Sequence, residues 1–202
     1  MSEPKDRPYH HGDLRRALID TALAMLAVDQ NWAFTLREVA RRTGVSHAAP
    51  YKHFRDREVL LRELARIGFV RLEETMTEAM SPAMPSTRAQ FVAAAQACIG
   101  FACQNPALYR LMFSSDADKT MDPQLHEAAM STFGILLGLL DKGQRNGSFR
   151  PVAVSALAAA SWAQVHGLAM LEINKQLLEE KVGSSPVPAA LDVLLDGMCC
   201  TD

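Results

Sequence analysis

The chain has 202 residues, of which 49% are hydrophobic and 22% charged, with a formal net charge of -2. That is an ordinary globular composition, and the dominance of Ala, Leu and Met over Val/Ile/Thr runs argues against a β fold. The opening, MSEPKDRPYHHGD, is too polar for a signal peptide. No apolar run is expected to reach the ~20 residues of a membrane span, Phe133 to Leu140 being the most apolar stretch. A cytoplasmic, membrane-free protein is expected.

The charge is unevenly spread. Residues 1–70 hold 12 Lys/Arg against 9 Asp/Glu, and residues 71–202 hold 9 against 14. Four of the six histidines also lie in the basic part, where a nucleic-acid contact would be sought. The cysteines, Cys98/Cys103 and Cys199/Cys200, have no CxxC spacing, so reduced thiols are expected.

Residues 1–11 read as a polar arm with Lys5, Arg7, Tyr9, His10 and His11, either a solubilising tail or a strand that touches DNA. Adjacent histidines without a spaced partner define no metal site, and neither a metal nor a cofactor is expected. A first helix starts near Gly12-Asp13 and runs to about Val28. Leu14, Leu18, Ala22, Met25 and Leu26 form its apolar stripe.

Thr35-Leu36-Arg37-Glu38 is a capping box, and Leu36, Val39 and Ala40 give the helix after it one apolar face. Thr43-Gly44 ends that helix, and Ser46 is placed to cap another that closes on Phe54. Two short helices joined by a glycine-containing turn predict a helix-turn-helix. On the second, His47, Tyr51, Lys52 and His53 are donors without acidic neighbours. With Thr35, Arg37 and Ala48 they are the candidate DNA-contacting residues; Lys52 offers charge to a phosphate, Tyr51 and His53 positioning hydrogen bonds. Arg41 and Arg42 are lesser candidates. Core packing is the plainer role of Phe54, and helix capping that of Thr35.

A linking helix runs from an Asp56 cap through Leu60, Leu61, Leu64, Ile67 and Leu72 to about Met80. Pro82 and Pro85 break the chain there. Beyond them, helices are expected over Thr87–Gln104, from an Asn105-Pro106 cap through Phe113, from an Asp122-Pro123 cap to about Arg145, from Pro151 to about Lys181, and over Ala189–Cys200. Trp162 and His166 share a helix face. With Phe91, Phe101, Met112, Phe133 and Met170 they are the candidate walls of an apolar ligand pocket, against the plainer reading of core residues. Ala153, Ala156, Leu157, Ala160 and the Leu191, Leu194, Leu195, Met198 stripe offer faces for a homodimer through the last two helices.

Thr35, Gly44-Val45-Ser46, Tyr51-x-His53-Phe54 and Glu58-x-Leu60-Leu61 together resemble the tetracycline-repressor (TetR) family of bacterial transcription regulators, over about the first 65 residues. Trp162, His166 and Gly167, with Asn105 to Phe113, are similar to a subgroup with a Trp-His-Gly signature. Ala48 and Pro50 depart from the glycine and bulky apolar residue that many members carry. The resemblance implies an all-α fold with a three-helix DNA-binding head. Residues 1–55 are the expected head, 56–80 the link, and 81–202 an effector-binding and dimerising body. The function implied is a repressor released from a palindromic double-stranded operator by a small apolar effector. The alternatives are a helical redox or metal sensor using the cysteines, and a helical-bundle enzyme. For the enzyme the sequence has no Glu-x-x-His, phosphate loop or cofactor fingerprint.

Overall fold

The computed structural model describes residues 11–81 and 83–199, with side chains from residue 14 onward. The expectations for Lys5, Arg7, Tyr9, His10, Pro82 and Cys200 lie outside these residues, and those for the His11 and Asp13 side chains lie outside the described side chains. The described residues form helices and turns, with a single isolated antiparallel bridge between Phe149 and Cys199.

Helix α1 (His11–Asp29) buries the predicted stripe of Leu18, Ala22, Met25 and Leu26. Helix α2 (Leu36–Thr43) starts where the capping box predicts, the Thr35 hydroxyl accepting from Glu38 N at 3.2 Å. It stops at Gly44, whose φ of 78° is open to glycine at little cost. Leu36, Val39 and Phe54 then close against α1 and α3 (Arg57–Ala79). The Asp56 carboxylate caps α3, and its hydrogen bond from Val59 N at 2.8 Å holds its pKa below the ordinary value.

The third helix of the head differs from expectation. Ala49–Lys52 is one 3-10 turn, not an α-helix capped by the Ser46 side chain. Pro50 has no N–H to give to the Ser46 carbonyl, so the first α-helical bond is missing. Ala49 N donates to Ser46 O instead, at 3.0 Å, and His53 N and Phe54 N both donate to Pro50 O at 2.9 Å.

Helix α3 leaves the head and becomes the spine of the body, packing on α4 (Thr87–Gln104), α5 (Pro106–Met112) and α6 (Pro123–Arg145). A Cβ on Gly68 would come within 2.6 Å of Met112 Sδ, so that glycine sets how close α5 approaches α3. Asp122 caps α6 as predicted, accepting from Gln124 N and Leu125 N. Asn105 does not cap α5 with its side chain; its Nδ2 donates back to Phe101 O at 3.0 Å and closes α4.

Helix α7 (Val154–Ile173) starts three residues after Pro151 and ends well before Lys181. Arg110 holds the cap residue Asn174 at 2.7 Å, Lys175 turns to a φ of 54°, and a short α8 (Glu179–Val182) follows separately. α7 also corrects an expectation about hydropathy. At 20 residues and a mean hydropathy of 1.3 in its most apolar window, it is long and apolar enough by length and composition to cross a membrane. Only 28% of that window is buried. Helix α9 (Pro186–Met198) starts earlier than expected, with Pro186 in its first turn. Leu157, Leu191, Leu195 and Met198 are buried within the chain itself and offer no free face. The exposed apolar positions include Val152, Ala153, Ala156, Ala159, Ala160, Trp162, Ala163 and Leu171 on and before α7, and Ala189 and Val193 on α9.

Candidate functional site

The head presents one polar surface. Thr35, Arg37, Arg41, His47, Ala48, Tyr51 and Lys52 are all exposed, and Tyr51 stands 51% exposed although it is an aromatic beside the core residue Phe54. Arg37, Arg41 and Lys52 make no ion pair among the described residues. Arg42 is instead drawn back onto Asp29 at 3.3 Å and Glu38 at 3.4 Å. His53 is half-buried, and its Nε2 is enclosed without a hydrogen-bond partner. The surface therefore carries cations and donors with nothing of their own to bind, next to the α2 N-terminus.

The body encloses an apolar cavity of about 630 Å³ between α3, α4, α6 and α7, within the size range of small-molecule sites. Phe91, Phe133, Trp162 and His166 line it as the sequence predicts. Phe101, Met112 and Met170 are not among its lining residues. Phe101 and Met112 are core instead, and Met170 is half-buried against that core. The sequence reading omitted Phe69, Leu72 and Met76, which stand on α3 at i, i+3 and i+7 and form a wall, and Lys119 from the loop before α6. It also omitted Tyr109 and Phe113, although both lie in the Asn105–Phe113 stretch that it had singled out.

Tyr109, Phe113 and His166 form an aromatic cluster, with Phe113 and His166 centroids 4.6 Å apart. The Tyr109 hydroxyl lies 3.0 Å from His166 Nδ1. Burial pushes the tyrosine pKa up, so the hydroxyl keeps its proton. Burial also lowers the His166 pKa, which favours the neutral ring, and the imidazole tautomer decides which of the two groups donates. Trp162 is 49% exposed and stands edge-on to Phe133 at 6.0 Å.

The two sites are joined by the loop between α5 and α6. Its Ala117 is fully buried and its Lys119 reaches the cavity. From the same loop Asp116 Oδ2 accepts from Trp32 Nε1 at 2.7 Å, and Trp32 is in the head between α1 and α2. The Trp32 and Phe34 carbonyls are in turn held by the Arg57 guanidinium at the start of α3.

Among the described residues Cys98, Cys103 and Cys199 are unbonded thiols. Cys98 and Cys103 are both free, the one buried and the other exposed, and burial raises the Cys98 thiol to about 11. A thiol so protonated is a poor nucleophile and ligand.

A helix-turn-helix head feeding a helical body with an internal cavity is the architecture of a DNA-binding regulator. Residues 18–64 match the family described as bacterial regulatory proteins, tetR family, and residues 91–198 match the tetracyclin repressor-like C-terminal domain. The chain belongs to the TetR family. It is 34% identical to a protein of unknown function from Rhodococcus sp. RHA1, over 96% of this chain and 100% of that one, with a TM-score of 0.83. Two further solved structures share the fold. One is a bacterial regulatory protein in the tetR family from Rhodococcus RHA1 (20% identity, 93% and 98% coverage, TM-score 0.70). The other is a TetR family transcription regulator from Marinobacter aquaeolei VT8 (17% identity, 93% and 96% coverage, TM-score 0.69). The chain matches no curated protein.

Proposed function

We propose that this protein is a dimeric repressor that leaves a palindromic operator when a small apolar effector fills the cavity in its body. The cavity carries the reading. An apolar space of about 630 Å³ walled by Phe91, Phe133 and Trp162 has the size and chemistry of a small-molecule site. The Trp162, His166 and Gly167 signature supports membership of the Trp-His-Gly subgroup, since both ring-bearing residues face that space.

The head spans residues 1–55, the link 56–80 and the sensing body 81–202. Lys52 and Arg37 meet phosphates, Tyr51 and His47 fix the register on the duplex, and the small Ala48 packs close to a base edge. Thr35 caps α2 beside a phosphate, and His53 shapes the turn. A 3-10 turn presents fewer base-reading positions than a full helix, so sequence is read in part through DNA shape. Two copies meet through the exposed faces of α7 and α9, at Ala156, Ala160 and Val193, placing two heads in successive major grooves. Filling the cavity moves the Lys119 loop, and the Asp116–Trp32 hydrogen bond passes that shift to the head as a change of population.

The test is the double variant Tyr51→Ala/Lys52→Ala. Each lost contact is worth about 1–3 kcal/mol, so operator affinity measured by fluorescence anisotropy should fall at least about 30-fold with melting temperature unchanged. A variant that binds the operator normally would rule out this turn as the contact surface.

A further inference from the structure

The cavity has a polar end and an apolar end. At the polar end the Lys119 amine sits over two rings, 5.4 Å from the centroid of Phe69 and 5.7 Å from that of Phe113. Phe69 heads the α3 wall that Leu72 and Met76 continue. Seven helical residues at ~1.5 Å each carry that wall ~10 Å away from the amine. Met76 belongs to the apolar part of the lining, with Leu72, Phe91 and Leu139.

The polar groups on the wall are donors or are already engaged. Thr132 Oγ1 is turned onto the Phe69 and Ala128 carbonyls at 3.1 and 2.9 Å, and Ser161 Oγ onto Met198 Sδ at 3.5 Å. The Tyr109 hydroxyl and His166 Nδ1 are taken by each other at 3.0 Å. Lys119 Nζ gives one proton to Met112 O at 2.8 Å and keeps two. No carboxylate lines the cavity, and Lys119 makes no ion pair among the described residues. Its neighbour Asp118 is exposed and holds Thr120 N at 2.8 Å and Thr120 Oγ1 at 2.7 Å. A half-buried ammonium whose coulombic partner, Asp118, is exposed and turned onto Thr120 is only partly compensated, a standing electrostatic cost.

We propose that the effector is an amphiphilic carboxylate, its acid group bound at Lys119 and its apolar tail laid about 10 Å along α3 toward Met76. The inference rests on the effector reading above and names its ligand class. A carboxylate at this point accepts charge-assisted hydrogen bonds from the amine, beside the Phe113 ring that both Lys119 and His166 approach. Burial already holds the Lys119 pKa below the ordinary lysine value, and an arriving anion relieves that penalty. An uncharged ligand of the same length fills the tail and leaves the amine unanswered. A cationic one meets like charge.

Calorimetric titration of the full-length protein with sodium decanoate, 1-decanol and decylammonium chloride tests the assignment. Decanoate should bind at least about tenfold more tightly than decanol, about 1.4 kcal/mol, and decylammonium should show no saturable binding. Lys119→Met should erase the preference for decanoate and leave decanol binding unchanged, whereas Lys119→Arg should preserve it. Decanol binding as well as decanoate, a preference that survives Lys119→Met, or no binding of any of the three overturns the proposal. The comparison of ligands on the unaltered protein stands even where a variant fails to fold. Operator release is read separately. Lys119-dependent binding of decanoate that leaves the DNA complex intact would refute the effector reading and keep the charge assignment.

Discussion

In the head, Leu18, Met25, Val39 and Phe54 close on one another with none of them more than 1% exposed, and the polar side chains stand outside. In the body, Phe91, Phe133 and Trp162 face a space large enough for a ligand, and Val193 on α9 is 73% exposed. Both regions are built from the same helical periodicity. They differ in whether each apolar face has a partner within the chain. A filled core holds in place the Tyr51–Lys52 turn that we propose meets DNA. A body with faces left open is where the proposed ligand and second copy would change the energy balance.

The sharpest way to break that contrast is to delete one ring from each region. Phe54→Ala should cost about 3–5 kcal/mol in chemical denaturation, as for any fully packed aromatic. Phe133→Ala, which borders the cavity, should cost markedly less, because its ring already lacks contacts on one side. Equal losses would show that the body is as tightly packed as the head. Next comes the open face. Val193→Arg should convert the dimer to a monomer in sedimentation velocity while changing monomer stability by no more than about 0.5 kcal/mol.

The smallest effect concerns pH. The folded His166 pKa lies below its unfolded value near 6.5. The unfolded chain therefore takes up this proton first as pH falls. The contribution is fully present above about 6.5 and declines below it, through the folded pKa. Melting temperature should therefore drop more steeply below pH 6.5 in the unaltered protein than in His166→Gln.

Local chemistry wrote much of this fold into the sequence. Thr35 with Glu38, Asp56 and Asp122-Pro123 each cap the helix they were expected to cap, because a cap is made with the residues beside it. What escaped needed tertiary knowledge. The end of α7 is set by Asn174 held from Arg110 on α5, with no glycine to announce it. Phe69, Leu72 and Met76 recur at helical spacing, but periodicity shows that a face is apolar and not whether a neighbour covers it or a cavity does. Lys119 sits in a polar loop, where charge reads as solvated until the fold brings that loop against Phe69. Pro50 is the instructive intermediate case. Its missing N–H was plain in the sequence, yet the consequence, a 3-10 turn in place of a helix, depends on which carbonyl it would have served.

The Trp32–Asp116 hydrogen bond joins residues 84 positions apart. The proline break after residue 80 invites a cut there, to isolate the head or to graft it onto another sensor. Such a graft would strip the indole of its acceptor, and a foreign body would supply one only by accident of sequence. A chimera that keeps its switch would have to bring the Ser114–Asp122 loop along with the head, as two ends of one part inherited together.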